Sequence, residues 1–316
     1  MRTRNSDLLS VAPISMTFLA ANLILFVYCA MASNDFMRIN PDVLTGLGMS
    51  IRERVWEGEW ARLILPAFLH AGFMHIALNT WGLYSYGPAA EVHFGKSNFA
   101  TLYLLSGAGG IAFSQIFGGG HSIGASTSLF GIIGAEFSIT VLNVPVLRNA
   151  WRASVVRDEL LRVGVYFAIG LSGMMGPVDN WGHLGGFVLG LTLGAFFELW
   201  RRHKRFAMPL VVAVVLGVAL MIGAARWTIF SPYYHLHMAA LAGEARDTAR
   251  EQREFEAARK WAGVWRDERI VNYLIRAYKA GAWTAEDARE NSYKWFREVA
   301  RQKLMRQPAA DENNVY

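Results

Sequence analysis

The stretch SIGASTSLFGIIGAEFSITVL, from Ser122 to Leu142, decides the fold. Most of it is apolar enough to enter a membrane, and Glu136 is its only charged residue. Its beginning, Gly124 to Ser128, instead carries small and hydroxyl-bearing residues. Polar side chains inside a membrane are costly and are functional candidates by default. The stretch therefore indicates a membrane helix with a polar site at one end.

Composition places the membrane part in the first 230 residues. The chain has 316 residues, of which 53% are hydrophobic and 18% charged, whereas soluble domains carry about 25% charged residues. Residues 1–230 hold 16 Lys and Arg and 12 Asp and Glu, and residues 231–316 hold 15 and 13. The net charge of +6 fits basic cytoplasmic loops better than nucleic-acid binding. A single cysteine, Cys29, excludes an intrachain disulfide.

We predict an all-α, polytopic membrane protein. A span needs about 20 mostly apolar residues, and seven segments qualify: 11–32, 65–86, 99–118, 124–146, 161–177, 182–200 and 207–225. Residues 11–200 form a six-helix core with an outer loop at 33–62. Residues 201–230 form a basic loop and the seventh span. The alternative makes that last segment a buried or interfacial helix. Trp56 and Trp60 are expected at the membrane interface.

The distribution of Lys and Arg predicts the orientation. With residues 1–10 in the cytoplasm, the inner segments hold eleven of these residues and the outer segments five, as the positive-inside rule requires. The first span has no small-residue cleavage site and is expected to be retained rather than removed as a signal peptide. Seven spans place the tail outside. We expect a bacterial plasma (inner) membrane.

Residues 231–316 are predicted to form two to four short helices. Thr284, followed by Asp287 three residues later, is a variant of the capping box that starts a helix. The segment is interpreted either as a small module that docks substrates or adaptors, or as a solvated helical extension. The sequence leaves both readings open.

The polar candidates for a site in the predicted spans are His70, His75, Asn79, Ser126 and His183. They belong to even-numbered spans, which enter from outside, so we expect His75, Asn79, Ser126 and His183 at similar depth in the outer part of the membrane. Serine as nucleophile, histidine as general base and further donors for an oxyanion are the components of an acyl-transfer site.

Each of these residues also has a structural interpretation. Serine in a membrane helix often bonds across helices, and a lone histidine such as His183 can simply pack. We expect an interfacial role for His70 and a structural hydrogen bond for Glu136. Asp179, four residues before His183, is not assigned as the acid of a triad.

Four glycines line one face of span six: Gly182, Gly186, Gly190 and Gly194. Small residues every four positions let helices approach closely. A serine on span four can meet a histidine on span six only where those two helices touch. The packing face is therefore part of the functional prediction.

These motifs resemble the rhomboid family of intramembrane serine proteases. HAGFMHIALN (70–79) resembles its two-histidine and asparagine pattern, GASTSLFGIIGA (124–135) its nucleophile motif, and DNWGHLGGFVLG (179–190) its histidine motif. The segments that flank span two, EWARLILPAFLHAG and GPAAEVHFG, are also similar to the family. The resemblance covers about residues 11–200, and outer helical extensions and a seventh span also occur in the family.

The resemblance implies a role for each matching residue. Ser126 and His183 form a catalytic dyad without an acid, and His75, Asn79 and the Ser126 backbone N–H form the oxyanion hole. Supporting positions are Gly124 in the tight loop, Phe130 packed on the histidine, and Gly186. Span five and loop 173–181 form the gate and cap. No metal or organic cofactor is implied.

The implied activity is hydrolysis of transmembrane protein substrates that enter laterally from the lipid bilayer. Cleavage near the outer membrane face proceeds through an acyl-enzyme. Because a membrane helix hides its carbonyls in internal hydrogen bonds, substrates should carry helix-weakening residues, with a small residue before the cut. No nucleic-acid partner is expected.

Two positions depart from the family pattern. Thr127 follows the serine where glycine is usual, and this β-branched residue stiffens the turn and narrows the oxyanion pocket. Ala61 stands before Arg62 where tryptophan is common. Two rival functions are a rhomboid-like protein that binds membrane clients without cutting them, and a transporter using His70, His75, Glu136 and His183 as a proton path. A transporter should show inverted repeats, and none is evident.

Overall fold

The computed structural model describes residues 10–118, 121–144, 152–171, 178–202 and 230–306. The chain forms two compact units, one of Met1–Ile51 and Glu59–Ala225, the other of Arg52–Gly58 and Arg226–Tyr316. The predicted all-α class is confirmed, because the regular structure described is helical apart from two short strands. The predicted seventh span, 207–225, lies outside the described residues.

The elements follow one another in chain order as α1 Pro13–Ser33, α2 Pro41–Gly46, β1 Ser50–Ile51, α3 Arg52–Trp56, α4 Phe73–Phe94, α5 Lys96–Phe117, β2 His121–Ser122, α6 Ser126–Leu142, α7 Ser154–Leu171, α8 Asn180–Arg202, α9 Pro232–Glu244, α10 Thr248–Trp265, α11 Glu268–Lys279 and α12 Ala285–Arg306. Helices α1 and α4–α8 lie at the six predicted core spans. In the described part of the chain, α1, α5 and α8 are long and apolar enough to cross a membrane, and α6 is a shorter apolar helix.

Helix α6 lies at the centre of the first unit. It packs against α4, α5 and α8, and its residues from Thr127 to Ala135 are all buried. Large apolar side chains face outward instead on α1 and α4, for example Met31, which is 71% exposed, and Trp81, which is 59% exposed. Such a surface suits contact with lipid.

Helix α8 approaches α6 at backbone distance. A Cβ atom added to Gly186 would overlap the carbonyl oxygen of Thr127, and one added to Gly190 would overlap that of Gly131. The small-residue face predicted for span six therefore does bring α6 and α8 together. This contact sets the distance between the residues at the helix starts.

The start of α4 differs from the predicted span 65–86. Residues Leu65–Phe68 form a 3₁₀ helix that contains Pro66, Leu69 is extended, and the α-helix begins only at Phe73. Proline at the start of a turn and glycine at position 72 explain the break. An added Cβ on Gly72 would overlap the carbonyl oxygen of Met37, so the chain enters α4 under the preceding loop.

Strands β1 and β2 form the only sheet among the described residues. They pair antiparallel, with Ser50 opposite Ser122 and Ile51 opposite His121. The side-chain amide of Gln115 at the end of α5 donates to Ser50 Oγ at 2.6 Å. Because β2 leads directly into α6, this small sheet fixes the approach to the polar end of that helix.

The second unit has its own hydrophobic core, built from α9 to α12 around Leu236, Phe255, Leu274 and Tyr293. Thr284 and Asp287 form the predicted capping box, since each backbone N–H donates to the other residue's side chain, at 2.6 and 3.2 Å. The four helices share a buried core and therefore form a folded module rather than a merely solvated extension.

Residues 52–58 are an inserted part of this second unit. Trp56, expected at the membrane interface, packs instead against the core of the unit, with its ring 5.6 Å from Tyr234 and 5.9 Å from His237 between centroids. Glu57 accepts from His237 at 2.8 Å and from Arg289 at 2.6 Å. Trp60, in contrast, is 56% exposed.

Candidate active site

Ser126 and His183 are in contact, as the sequence predicted. Ser126 is the first residue of α6, and His183 lies in the first turn of α8. The distance between Ser126 Oγ and His183 Nε2 is 2.8 Å, within the usual range for a hydrogen bond. Ser126 is partly accessible while His183 is 8% exposed. A hydroxyl bonded to an imidazole is the arrangement that activates a nucleophile.

The imidazole of His183 stacks on Phe130. Their ring centroids lie 4.3 Å apart with an interplanar angle of 14°. The ring of Phe130 also packs against that of Phe167 in α7, with 4.9 Å between the ring centroids. His183 Nδ1 is buried and forms no hydrogen bond within the described part of the chain. Stacking on Phe130 therefore helps to orient the ring.

The loop before the serine is tightly held. Gly124 has φ = 112°, a left-handed conformation that glycine adopts readily, and its N–H donates to the carbonyl of Pro66 at 2.8 Å. An added Cβ would overlap Nε2 of His75. Glycine is therefore required here both by the backbone and by the imidazole beside it.

His75 and Asn79 lie on one face at the start of α4, as their spacing predicts. The amide nitrogen of Asn79 donates to the backbone carbonyl of His75 at 2.9 Å, which leaves its second N–H available for another acceptor. The His75 ring lies beside Gly124, and its Nδ1 accepts from the Ala71 N–H at 3.4 Å. Both side chains thus belong to the surroundings of the nucleophile loop.

His70 is fully buried rather than interfacial. Its Nε2 accepts a long hydrogen bond of 3.4 Å from the backbone N–H of Ala125, and its ring meets that of His75 edge to face at 5.1 Å. The expected interfacial role was wrong because the chain before α4 turns inward beneath the nucleophile loop. The burial of His70 follows from the non-helical path of the chain before Phe73, which the sequence pattern did not indicate.

Thr127 points away from the pocket that it was expected to narrow. Thr127 is buried. A Cβ atom added to Gly182 would lie 3.0 Å from the Thr127 methyl group, and one added to Gly110 would lie 3.0 Å from the Thr127 Cβ. The side chain therefore fills the junction of α5, α6 and α8. The carbonyl of the same residue faces Gly186, which explains the small residue at that position.

Asp179 is the residue that reasoning from the sequence undervalued. Its Oδ1 accepts from Ser114 Oγ of α5 at 2.8 Å and from the N–H of Gly182 at 2.9 Å. The carboxylate thus caps the helix that carries His183 and bonds it to a neighbouring helix. The signal in the sequence was a cap residue followed at once by a helix.

Comparison with known proteins identifies a similarity over this part of the chain. Residues 57–200 match the family model described as a rhomboid domain. Over these residues the chain is similar to the rhomboid family. The matched stretch contains the polar residues of α4, α6 and α8 described above.

Three relatives show the extent of the similarity. Rhomboid protease GluP of Bacillus subtilis (strain 168) is 31% identical over 193 residues, which are 61% of this chain and 36% of that protein. RHOMBOID-like protein 5 of Arabidopsis thaliana is 36% identical over 179 residues, 55% of this chain and 56% of that protein. Rhomboid-like protease 1 of Toxoplasma gondii is 29% identical over 195 residues, 60% and 64% respectively. The chain thus spans about a third to two thirds of each relative's length.

Proposed function

We propose that this protein is an intramembrane serine endopeptidase that cuts transmembrane protein substrates near the outer membrane face. The observation that carries the proposal is the 2.8 Å contact between Ser126 Oγ and His183 Nε2 at the start of two apolar helices. The similarity to the rhomboid domain and the two relatives named as proteases support it. The multi-pass protein resides in the plasma membrane, with the start of α1 on the cytoplasmic side.

In the proposed mechanism, Ser126 is the nucleophile and His183 transfers the protons. Ser126 Oγ attacks the carbonyl carbon of the scissile bond while His183 Nε2 takes the hydroxyl proton. The tetrahedral intermediate collapses, the C–N bond breaks, and His183 gives that proton to the leaving amine. Water, deprotonated by the same nitrogen, then hydrolyses the acyl-enzyme and releases Ser126.

The oxyanion forms at the start of α6. Backbone N–H groups in the first turn of a helix lack intrahelical partners and carry partial positive charge, so the Ser126 N–H is one donor. The His75 ring and the Asn79 amide are the side-chain donors beside it. Such donors stabilise negative charge best where water is scarce.

The substrate enters from the lipid through the side of the domain bearing α7. A helix in lipid satisfies its carbonyls internally, so it must unwind before Ser126 can attack. Substrates therefore carry helix-weakening residues near their outer end and a small residue before the cut. The folded C-terminal module is the docking place for substrates or adaptors.

The test is cleavage of a helix-destabilised transmembrane reporter by purified protein in detergent. We expect wild type to cut, and Ser126→Ala and His183→Ala each to lose at least about 10³-fold in rate, because each removes an essential proton-transfer partner. The matched control is Ser138→Ala on the same helix, whose hydroxyl donates only to the Ala135 carbonyl at 2.7 Å. It should cut like wild type.

The rival function is binding of membrane clients without cleavage. Equal cutting by wild type and Ser126→Ala would contradict the proposed dyad. Absence of cutting by folded wild type across several reporters, together with retained reporter binding, would favour the client-binding protein.

A further inference from the structure

The position of His183 depends on the backbone that carries it. No acidic side chain in the described part of the chain bonds to its Nδ1, and its ring is held by the Ser126 hydroxyl and by Phe130. The glycine face of α8 sets its separation from α6. Hydrogen bonds at the start of α8 hold its first turn in addition.

Asp179 provides those bonds. Its Oδ1 accepts from the Gly182 N–H at 2.9 Å, inside the first turn, and its backbone carbonyl accepts from the His183 N–H at 3.0 Å. The same Oδ1 accepts from Ser114 Oγ at 2.8 Å, and Ser114 is buried near the end of α5. One carboxylate thus bonds the histidine-bearing turn to a different helix.

We propose that Asp179 is a positioning residue, which holds the first turn of α8 on α5 so that the His183 imidazole meets Ser126. The inference rests on the proposed protease function. Asp179 acts through the backbone and not as the third member of a triad, since its Oδ1 bonds to Ser114 and Gly182, and in the described part of the chain neither its Oδ2 nor His183 Nδ1 has a hydrogen-bond partner. A carboxylate at a helix start is also favoured by the helix dipole.

Two substitutions separate position from charge. Asn keeps a side-chain oxygen that can cap the helix about as well as Asp, whereas Ala removes it. We expect Asp179→Ala to lower kcat about tenfold with KM changed by less than about twofold, since a lost cap shifts local order by about five- to tenfold. Asp179→Asn should keep at least about a third of wild-type kcat, and Ser114→Ala should lie between the two.

The measurement combines reporter cleavage with titration of active sites by a fluorophosphonate, which reacts covalently with an activated serine. All rates are expressed per titrated site, so that misfolded protein does not count. The acid limb of the kcat–pH profile is recorded for wild type and Asp179→Asn. We expect these two limbs to coincide.

The control is Asn40→Ala in the first unit. Asn40 caps α2 by accepting from the Asp42 N–H at 2.8 Å, so this variant loses the same kind of bond from a helix without site residues. We expect its rates to equal those of wild type.

Four outcomes would overturn the inference while leaving the proposed function intact. They are wild-type kcat in Asp179→Ala, a loss explained by fewer titrated sites, an equal loss in Asn40→Ala, and an Asp179→Asn variant as slow as Asp179→Ala with a displaced acid limb. A wild type that neither cleaves nor reacts with the fluorophosphonate would overturn the proposed function and this inference together.

Discussion

At the scale of single residues, the site is built where polar groups interrupt apolar helices. Ser126 and His183 could be predicted because a hydroxyl and an imidazole are costly in lipid. Both residues lie at the start of an even-numbered predicted span, which puts them at the same expected depth. Phe130 followed from the resemblance to the rhomboid family. His70 and Asp179 could not be assigned correctly, because their partners are backbone groups whose positions appear only in the folded chain.

Gly124 offers a test at this scale. We expect Gly124→Ala to lower the cleavage rate at least about 100-fold, because φ = 112° costs an L-residue about 1–2 kcal/mol and the new methyl group overlaps the His75 ring. Gly46→Ala is the control, since an added Cβ there has no atom within 4 Å. Reporter cleavage per titrated site measures both. Wild-type rates in Gly124→Ala would contradict the assigned role of this loop.

At the scale of elements, the apolar segments indicated the helices of the membrane core, and their ends were harder. Span two was predicted from residue 65, yet α4 begins at Phe73, because Pro66 and Gly72 break the helical path. The insertion of α3 into the second unit could not be predicted, since it depends on contacts across about 180 residues of sequence, such as Glu57 with His237.

The Glu57 carboxylate makes the second unit sensitive to acid. Burial raises its pKa, but hydrogen bonds from His237 and Arg289 outweigh this and lower the pKa from 4.5 to about 2. Since the folded pKa lies below the unfolded one, its stabilisation is complete above about pH 4.5 and is lost as the pH falls towards 2. Its size is on the order of 1–3 kcal/mol.

We therefore expect Glu57→Gln to lower the protection of amide hydrogens in residues 232–306 at pH 6 and to lower it by a smaller amount at pH 3, where part of the stabilisation is already lost. Hydrogen exchange of the full chain measures this. Glu256→Gln, on an exposed position of α10, serves as the control and should behave as wild type. Equal loss of protection at both pH values in Glu57→Gln would contradict the assignment to the carboxylate charge.

At the scale of the whole molecule, the second unit combines two segments that are far apart in the chain, and this bears on membrane topology. The sequence predicts residues 52–58 and the C-terminal tail on the outer side of the membrane. The helices from Pro232 to Arg306 share one compact unit with residues 52–58. We therefore expect both segments on the same side.

Labelling of single cysteines tests the expected side. In a Cys29→Ser background, Gln252→Cys on α10 should react with a membrane-impermeant maleimide in intact cells, because this position is exposed and the tail is expected on the outer side. Ser97→Cys, exposed where α5 begins, should react only after permeabilisation. Reaction of Gln252→Cys solely in permeabilised cells would contradict the expected outer position of the tail.

The inserted segment 52–58 also limits how this protein can be divided. Its Val55 is 6% exposed and its Glu53 fully buried, and the neighbours that cover α3 come from α9 and α12. A chain shortened at residue 230 keeps α3 but loses that cover, which leaves apolar surface and a buried carboxylate open to water. Such a truncation is therefore not a smaller version of the same protein. Residues 52–58 and the C-terminal helices form one compact unit, and they are expected to be gained or lost together.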